Sequence, residues 1–211
     1  MNLSKIRYLL LLMTFSYLAV ISVGSEIESN QQELLKINHF LSDTKSMRDS
    51  TEKRLLLLAK DNAYEYRIAP NVLDKYNKVL QELPANFREL MKVKNLKIGS
   101  HGNMKGFQGL YFYKYNVIFI RNGANFENNL RHELGHFLQD EYLFDRVGIP
   151  TLEKVFREEK HNYNGDSVGY AQTSMYEYFA ECFNDYFVRK DELKINSPKA
   201  YKLIEDALNN L

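Results

Sequence analysis

The chain has 211 residues, 45% of them hydrophobic, which is enough for one domain with a real core and excludes a disordered chain. Its formal net charge is +1 with no basic block, which argues against nucleic acid as the main partner. The single cysteine, Cys182, excludes an internal disulfide and reads as a small buried hydrophobe on a helix.

Residues 1–24 read as a secretory signal peptide. Lys5 and Arg7 precede an uncharged apolar run from Tyr8 to Val23, and Ser22 and Gly24 are small residues suited to a cut after Gly24. The run is short for a membrane span of about twenty residues, so a cleaved signal is favoured over an uncleaved N-terminal anchor. The expected product is one mature domain over 25–211, secreted, monomeric and without stable membrane association.

Residues 26–60 have helical periodicity, with Leu34, Ile37, Phe40 and Leu41 in one patch and residues 55–58 in a second. A further helix is predicted over 70–83, where Leu73, Tyr76, Leu80 and Leu83 form a stripe and Pro70 suits the first turn. A short helix follows over 87–92. Strand structure opens at 95–98, and Ser100, His101, Gly102 and Asn103 read as loop. Two β-rich runs, 110–113 and 117–120, flank Lys114-Tyr115-Asn116 as a hairpin candidate. One strand of it is expected to lie along a cleft with an open edge, to which an extended peptide can add.

The chemistry begins at Arg131-His132-Glu133-Leu134-Gly135-His136-Phe137, on a helix predicted over 126–141 with Asn122 or Asn125 as its cap. Histidines four apart lie on one helix face, one turn from each other. Two such imidazoles can chelate one Zn²⁺, and Glu133 can reach the open side of the metal to take a proton from water. Chance supplies such a triplet in roughly one chain of this length in a hundred. Leu130, Leu134, Phe137 and Leu138 add the apolar face that a buried active-site helix needs.

A catalytic zinc keeps three protein ligands. The subclass with a later Gly and His is excluded, because Gln139 and Tyr142 stand at those positions. The remaining common ligand is a glutamate on a later helix. Residues 174–189 are predicted as that helix, after a helix over 152–160 and a loop over 161–166. Glu177 and Glu181 lie on one face of it amid Tyr176, Tyr178, Phe179, Cys182 and Phe183, and carboxylates in such company need a partner. Glu177 is the candidate ligand. Glu181 is placed to hydrogen-bond the far nitrogen of a zinc histidine. Ser197-Pro198 is predicted to cap a last helix in which Tyr201, Ile204 and Leu208 face inward.

These residues resemble a known family: the catalytic domain of anthrax lethal factor and the related secreted Pro-Pro endopeptidases. The resemblance runs from about 116 to 211. It rests on the motif from His132 to His136, on Tyr170, on the run from Glu177 to Phe183, and on Asn196-Ser197-Pro198-Lys199. It implies an α+β zinc-metallopeptidase fold, with helices packed on a small mixed sheet. In it the zinc helix and the third-ligand helix face each other across a cleft. It implies one Zn²⁺ per chain held by His132, His136 and Glu177, with catalysis by Glu133 and Tyr170. On its residue context alone, Tyr170 reads as a core tyrosine. Two departures bear on specificity: the chain has no Trp where the Pro-Pro enzymes carry one before the zinc helix, and Tyr176 stands where they carry an acidic residue.

The expected function is therefore a secreted zinc endopeptidase acting on an extended, apolar or proline-containing segment of a protein or peptide. The alternatives are a non-catalytic binding domain of the same family and a membrane-anchored processing protease. A degenerate binding domain should have lost ligands or the base, and this sequence keeps them all.

Overall fold

A computed structural model describes residues 67–104 and 106–211. The expected signal segment and the helices over 26–60 lie outside the described residues. Among the described residues, no helix is long and apolar enough to cross a membrane.

The fold is mixed α and β, mostly helical, with a small three-stranded sheet. A 3-10 turn, Pro70–Val72, leads into α1 (Leu73–Glu82), and α2 (Ala85–Val93) follows across Pro84. The apolar stripe of α1 sits slightly off its predicted position. Val79 and Leu83 are fully buried, Tyr76 and Leu80 only partly, and Leu73 faces out.

The strands are β1 (Lys97–His101), β2 (Gly109–Phe112) and β3 (Val117–Arg121), in the order β1-β3-β2. The hairpin prediction is met. Phe112 pairs with Val117 and Gly109 with Ile120, antiparallel, across a 3-10 turn closed by Asn116 in the left-handed region. Asn116 is suited to this, because its short polar side chain tolerates positive φ and here accepts from the Tyr111 hydroxyl. Ser100 and His101, predicted as loop, are strand instead. Strand β1 pairs parallel with β3 as far as His101 opposite Arg121. That pairing joins distant segments and leaves no local signature. Each residue of β3 from Val117 to Ile120 is buried, as its central position in the sheet requires.

Helix α3 (Phe126–Leu138) carries His132, Glu133 and His136. Asn125 takes the cap position without donating or accepting a side-chain cap bond. The helix does not run on regularly to 141. It opens into a π-helical turn, Gln139–Leu143, and a short turn, Phe144–Arg146. Helix α4 (Ile149–Glu159) precedes a single helical turn, Val168–Ala171, which holds Tyr170. Helix α5 (Met175–Val188) begins at Ser174, whose hydroxyl accepts from the Glu177 N–H as a true cap. Two further helices, α6 (Lys190–Asn196) and α7 (Pro198–Asn210), complete the described chain.

Ser197 holds the cap position of α7 but makes no side-chain cap bond to it. The buried Glu159 carboxylate does that work from α4, accepting from Lys199 N at 2.8 Å and Ala200 N at 3.0 Å. An anion at a helix N-terminus meets its unpaired N–H groups and the positive end of its dipole. The Tyr178 hydroxyl of α5 also donates to Glu159, so three helices are tied at one carboxylate.

The core is built around α3 and α5, which pack along their length. Gly135 sets how near they come. A Cβ there would lie 2.8 Å from Ala180 Cα and 3.0 Å from Phe183 Cβ, distances that backbone cannot concede without a shift. Gly135→Ala should therefore destabilise the protein by about 1–3 kcal/mol, the usual cost of overpacking. Thermal melting of the variant should show a drop of roughly 2–4 °C per kcal/mol. An unchanged melting temperature would show that the helices separate freely at this point.

Candidate metal centre

The close approach of α3 and α5 brings His132, His136 and Glu177 together. One donor atom from each lies within 4.8 Å of the others, a set that can hold a metal ion. Glu177 Oε2 is 3.1 Å from His132 Nε2 and 3.3 Å from His136 Nε2. It is nonetheless buried without a hydrogen bond of acceptable geometry. A buried carboxylate oxygen is costly to leave unsatisfied. Three donors converging on one point, with that oxygen orphaned, fit a cation between them better than they fit each other. Two imidazoles and a carboxylate are also the donor types that zinc accepts.

The electrostatics agree. Burial alone would push the His132 pKa down, but the carboxylates of Glu177, Glu181 and Glu133 overcome it and raise the pKa to about 10. Burial alone would raise the Glu177 pKa, yet the two histidines hold it well below the usual carboxylate range. Positive charge is thus strongly favoured in this pocket, whether as protons or as a metal ion.

Glu181, one turn along α5, lies with Oε1 3.1 Å from His132 Nδ1, on the ring edge away from Glu177. A carboxylate on that edge fixes the orientation of a ligating imidazole.

Glu133 is buried beside the cluster, and burial raises its pKa. Two features of β2 hold its side chain. The Tyr111 backbone N–H donates to the carboxylate. Gly109 lies flat against it, and a Cβ there would sit 2.5 Å from Glu133 Oε1. The ladder explains how the Tyr111 N–H comes to point at Glu133. Arg121 N–H donates to Gln108 O, so in the antiparallel alternation Leu110 and Phe112 face β3, while Gly109 and Tyr111 face away. Among the described residues no strand pairs with that side of β2. The role of Gly109 escaped the sequence reading. A glycine opening a β-rich run was the available signal, since it marks a close approach.

Tyr170 is not the core tyrosine that its local context suggests. It is half exposed, with its ring 5.8 Å from that of His132. Its hydroxyl lies toward the Glu177 carboxylate. Burial of the hydroxyl, together with Glu177, Glu133 and Glu181, pushes its pKa far up, so it stays protonated. His101 stands at the end of β1, its Nδ1 beside the Asn103 backbone, and is not part of the cluster.

Residues 114–207 match the family model described as anthrax toxin lethal factor, N- and C-terminal domain. This segment is similar to that family. The match takes in β3, the motif helix, Tyr170 and all of α5. It stops short of β2, whose contribution comes from the structure alone. No curated protein matches the chain. The lethal-factor-like segment therefore carries every residue of the metal cluster, and the edge strand beside Glu133 precedes it.

Removing a donor should remove the metal. With the protein dialysed against zinc, metal analysis should find about one ion per chain, as expected of a three-donor site. His132→Ala and Glu177→Ala should abolish that binding, and Glu133→Ala should keep it. If Glu181→Ala strips the metal more completely than Glu177→Ala, the two glutamates have exchanged roles.

Proposed function

We propose that this protein is an exported zinc endopeptidase with the zinc-metallopeptidase fold. The observation that carries the reading is the convergence of His132, His136 and Glu177 on one point, with Glu133 held beside them by the backbone of an edge strand. The lethal-factor-like segment supports it.

When bound, zinc supplies a Lewis acid that polarises the scissile carbonyl and makes a water acidic enough to attack near neutral pH. Glu133 takes a proton from the attacking water and passes it to the leaving amine. Burial raises its pKa, which makes it a stronger base. Tyr111 N–H and the bare Cα of Gly109 fix where that carboxylate sits. Glu181 orients His132. Tyr170, protonated and open to the cleft, donates to the oxygen on which negative charge develops. Donors of this kind are worth about 2–4 kcal/mol of barrier.

The substrate is an extended segment of a protein or peptide, added beside β2 by main-chain hydrogen bonds. Such pairing is nearly blind to sequence, so selectivity falls to side chains. Of three aromatics near β2, Tyr111 is turned inward against Phe137 and bonded to Asn116. Tyr113 lies in the 3-10 turn with Lys114 over its ring. Phe107 remains exposed, two residues before Gly109. It is our candidate for a wall favouring apolar or proline-containing segments without a strict Pro-Pro requirement. A peptide-library digest read by mass spectrometry tests this, and cleavage confined to Pro-Pro bonds would overturn it.

Two sets of variants test the roles. Glu133→Ala should abolish turnover with zinc still bound. Gly109→Ala should cost about a hundredfold in kcat, because its methyl displaces the base by the order of an ångström. Zinc-loaded Gly109→Ala with normal turnover would show that β2 does not position Glu133. Tyr170→Phe removes one hydroxyl and keeps the ring. Steady-state kinetics should show kcat roughly tenfold to a thousandfold lower with little change in KM, because the bond is made in the transition state. An unchanged kcat would return Tyr170 to a packing role.

A further inference from the structure

The two histidines are held on their far edges by different residues. Glu181 stands at Nδ1 of His132. At Nδ1 of His136, 3.3 Å away, stands the Nε2 of Gln139. Gln139 is among the most buried polar residues, 1% exposed. The same Nε2 donates to the Tyr176 carbonyl at 3.0 Å and approaches its own helix at Gly135 O, 3.4 Å. Tyr176 immediately precedes Glu177. One amide nitrogen therefore touches the second histidine and the backbone that carries the third donor.

The other end of the amide makes the arrangement costly. Gln139 Oε1 is buried with no hydrogen-bond partner. A buried acceptor left unpaired destabilises a fold, and an apolar side chain of the same size would avoid that cost. What the glutamine gives in return is its donor end, which spans α3 and α5. It does so at the residue where α3 opens into the π-helical turn. That kind of irregularity re-aims side chains and is frequent at functional sites.

We propose that Gln139 is a positioning residue of the metal centre. Its amide donates to the Tyr176 carbonyl from the helical turn that carries His136, and so fixes that turn of α3 relative to Glu177. Gly135 sets how closely the two helices approach, and Gln139 sets the register of their donors one turn further on. The inference rests on the zinc reading above but is separable from it, because Gln139 is not itself a ligand.

The test is zinc affinity, measured by chelator competition on the mature chain, beside the melting temperature of the metal-free protein. Gln139→Met keeps the volume and removes both polar ends. Gln139→Asn keeps the amide and shortens its reach. Each should bind zinc roughly tenfold to a hundredfold more weakly, the range seen when groups that orient ligands are lost. If the Met variant does not fold, the Asn variant decides. A folded variant with wild-type zinc affinity would overturn the proposal, even with a lowered melting temperature, because the amide would then be packing alone. Failure of the zinc reading looks different: wild type, Gln139 variants and His132→Ala would all bind no zinc.

Discussion

The site depends on the contact between Gly135 of α3 and Ala180 of α5. Two helices that meet with backbone nearly against backbone can place side chains from both on a single point. His132 and His136 flank Gly135 along α3, and Glu177 and Glu181 flank Ala180 along α5. The small residues are thus at the centre of the chemistry and make no contact with a metal themselves. Widening this contact would move the donors of one helix away from those of the other.

The same packing explains how acidic and basic groups survive in the core. Helix α5 is lined by Met175, Tyr178, Phe179, Cys182 and Phe183, all buried, and its carboxylates have little water to turn to. Each is met by a counter-group. Glu177 and Glu181 face histidines, and Asp185 is paired with Arg189 at 2.7 Å. Cys182 lies in this apolar surround, and burial pushes its thiol pKa up, so it is a packing residue without thiolate character. Elsewhere, Glu159 resolves its burial by capping α7 and accepting from Tyr178. That cap helps seat α7 near the core helix and gives the Ser197-Pro198-Lys199 run its structural meaning.

The sheet is small, but its order decides which strand edge lies beside Glu133. Because β3 is central, β2 has a side that no described strand occupies, and α3 packs next to it. Glu133 sits where helix and strand meet. Its carboxylate is therefore positioned by the edge strand of the sheet, through the Tyr111 N–H and the bare Cα of Gly109.

Local sequence determined a good part of this. The i, i+4 spacing of the histidines, the apolar face of α3, the hairpin turning at Asn116 and the helix opened by Ser174 are short-range features that period and cap chemistry specify. So is the pairing of Glu177 with Glu181 on one helix face. Residue context did not reveal Tyr170 at the site; that came from a family resemblance. Only the tertiary structure decided the rest. The parallel pairing of β1 with β3, the cap that Glu159 supplies to a helix forty residues on and the backing of Glu133 by Gly109 and Tyr111 join segments far apart in sequence. So does the span of Gln139 from His136 to Tyr176. Such contacts leave no periodic trace, because each is fixed by the packing of whole helices and strands against one another. A residue's neighbours along the chain set its conformation, but its chemistry here is set by what the fold brings to face it.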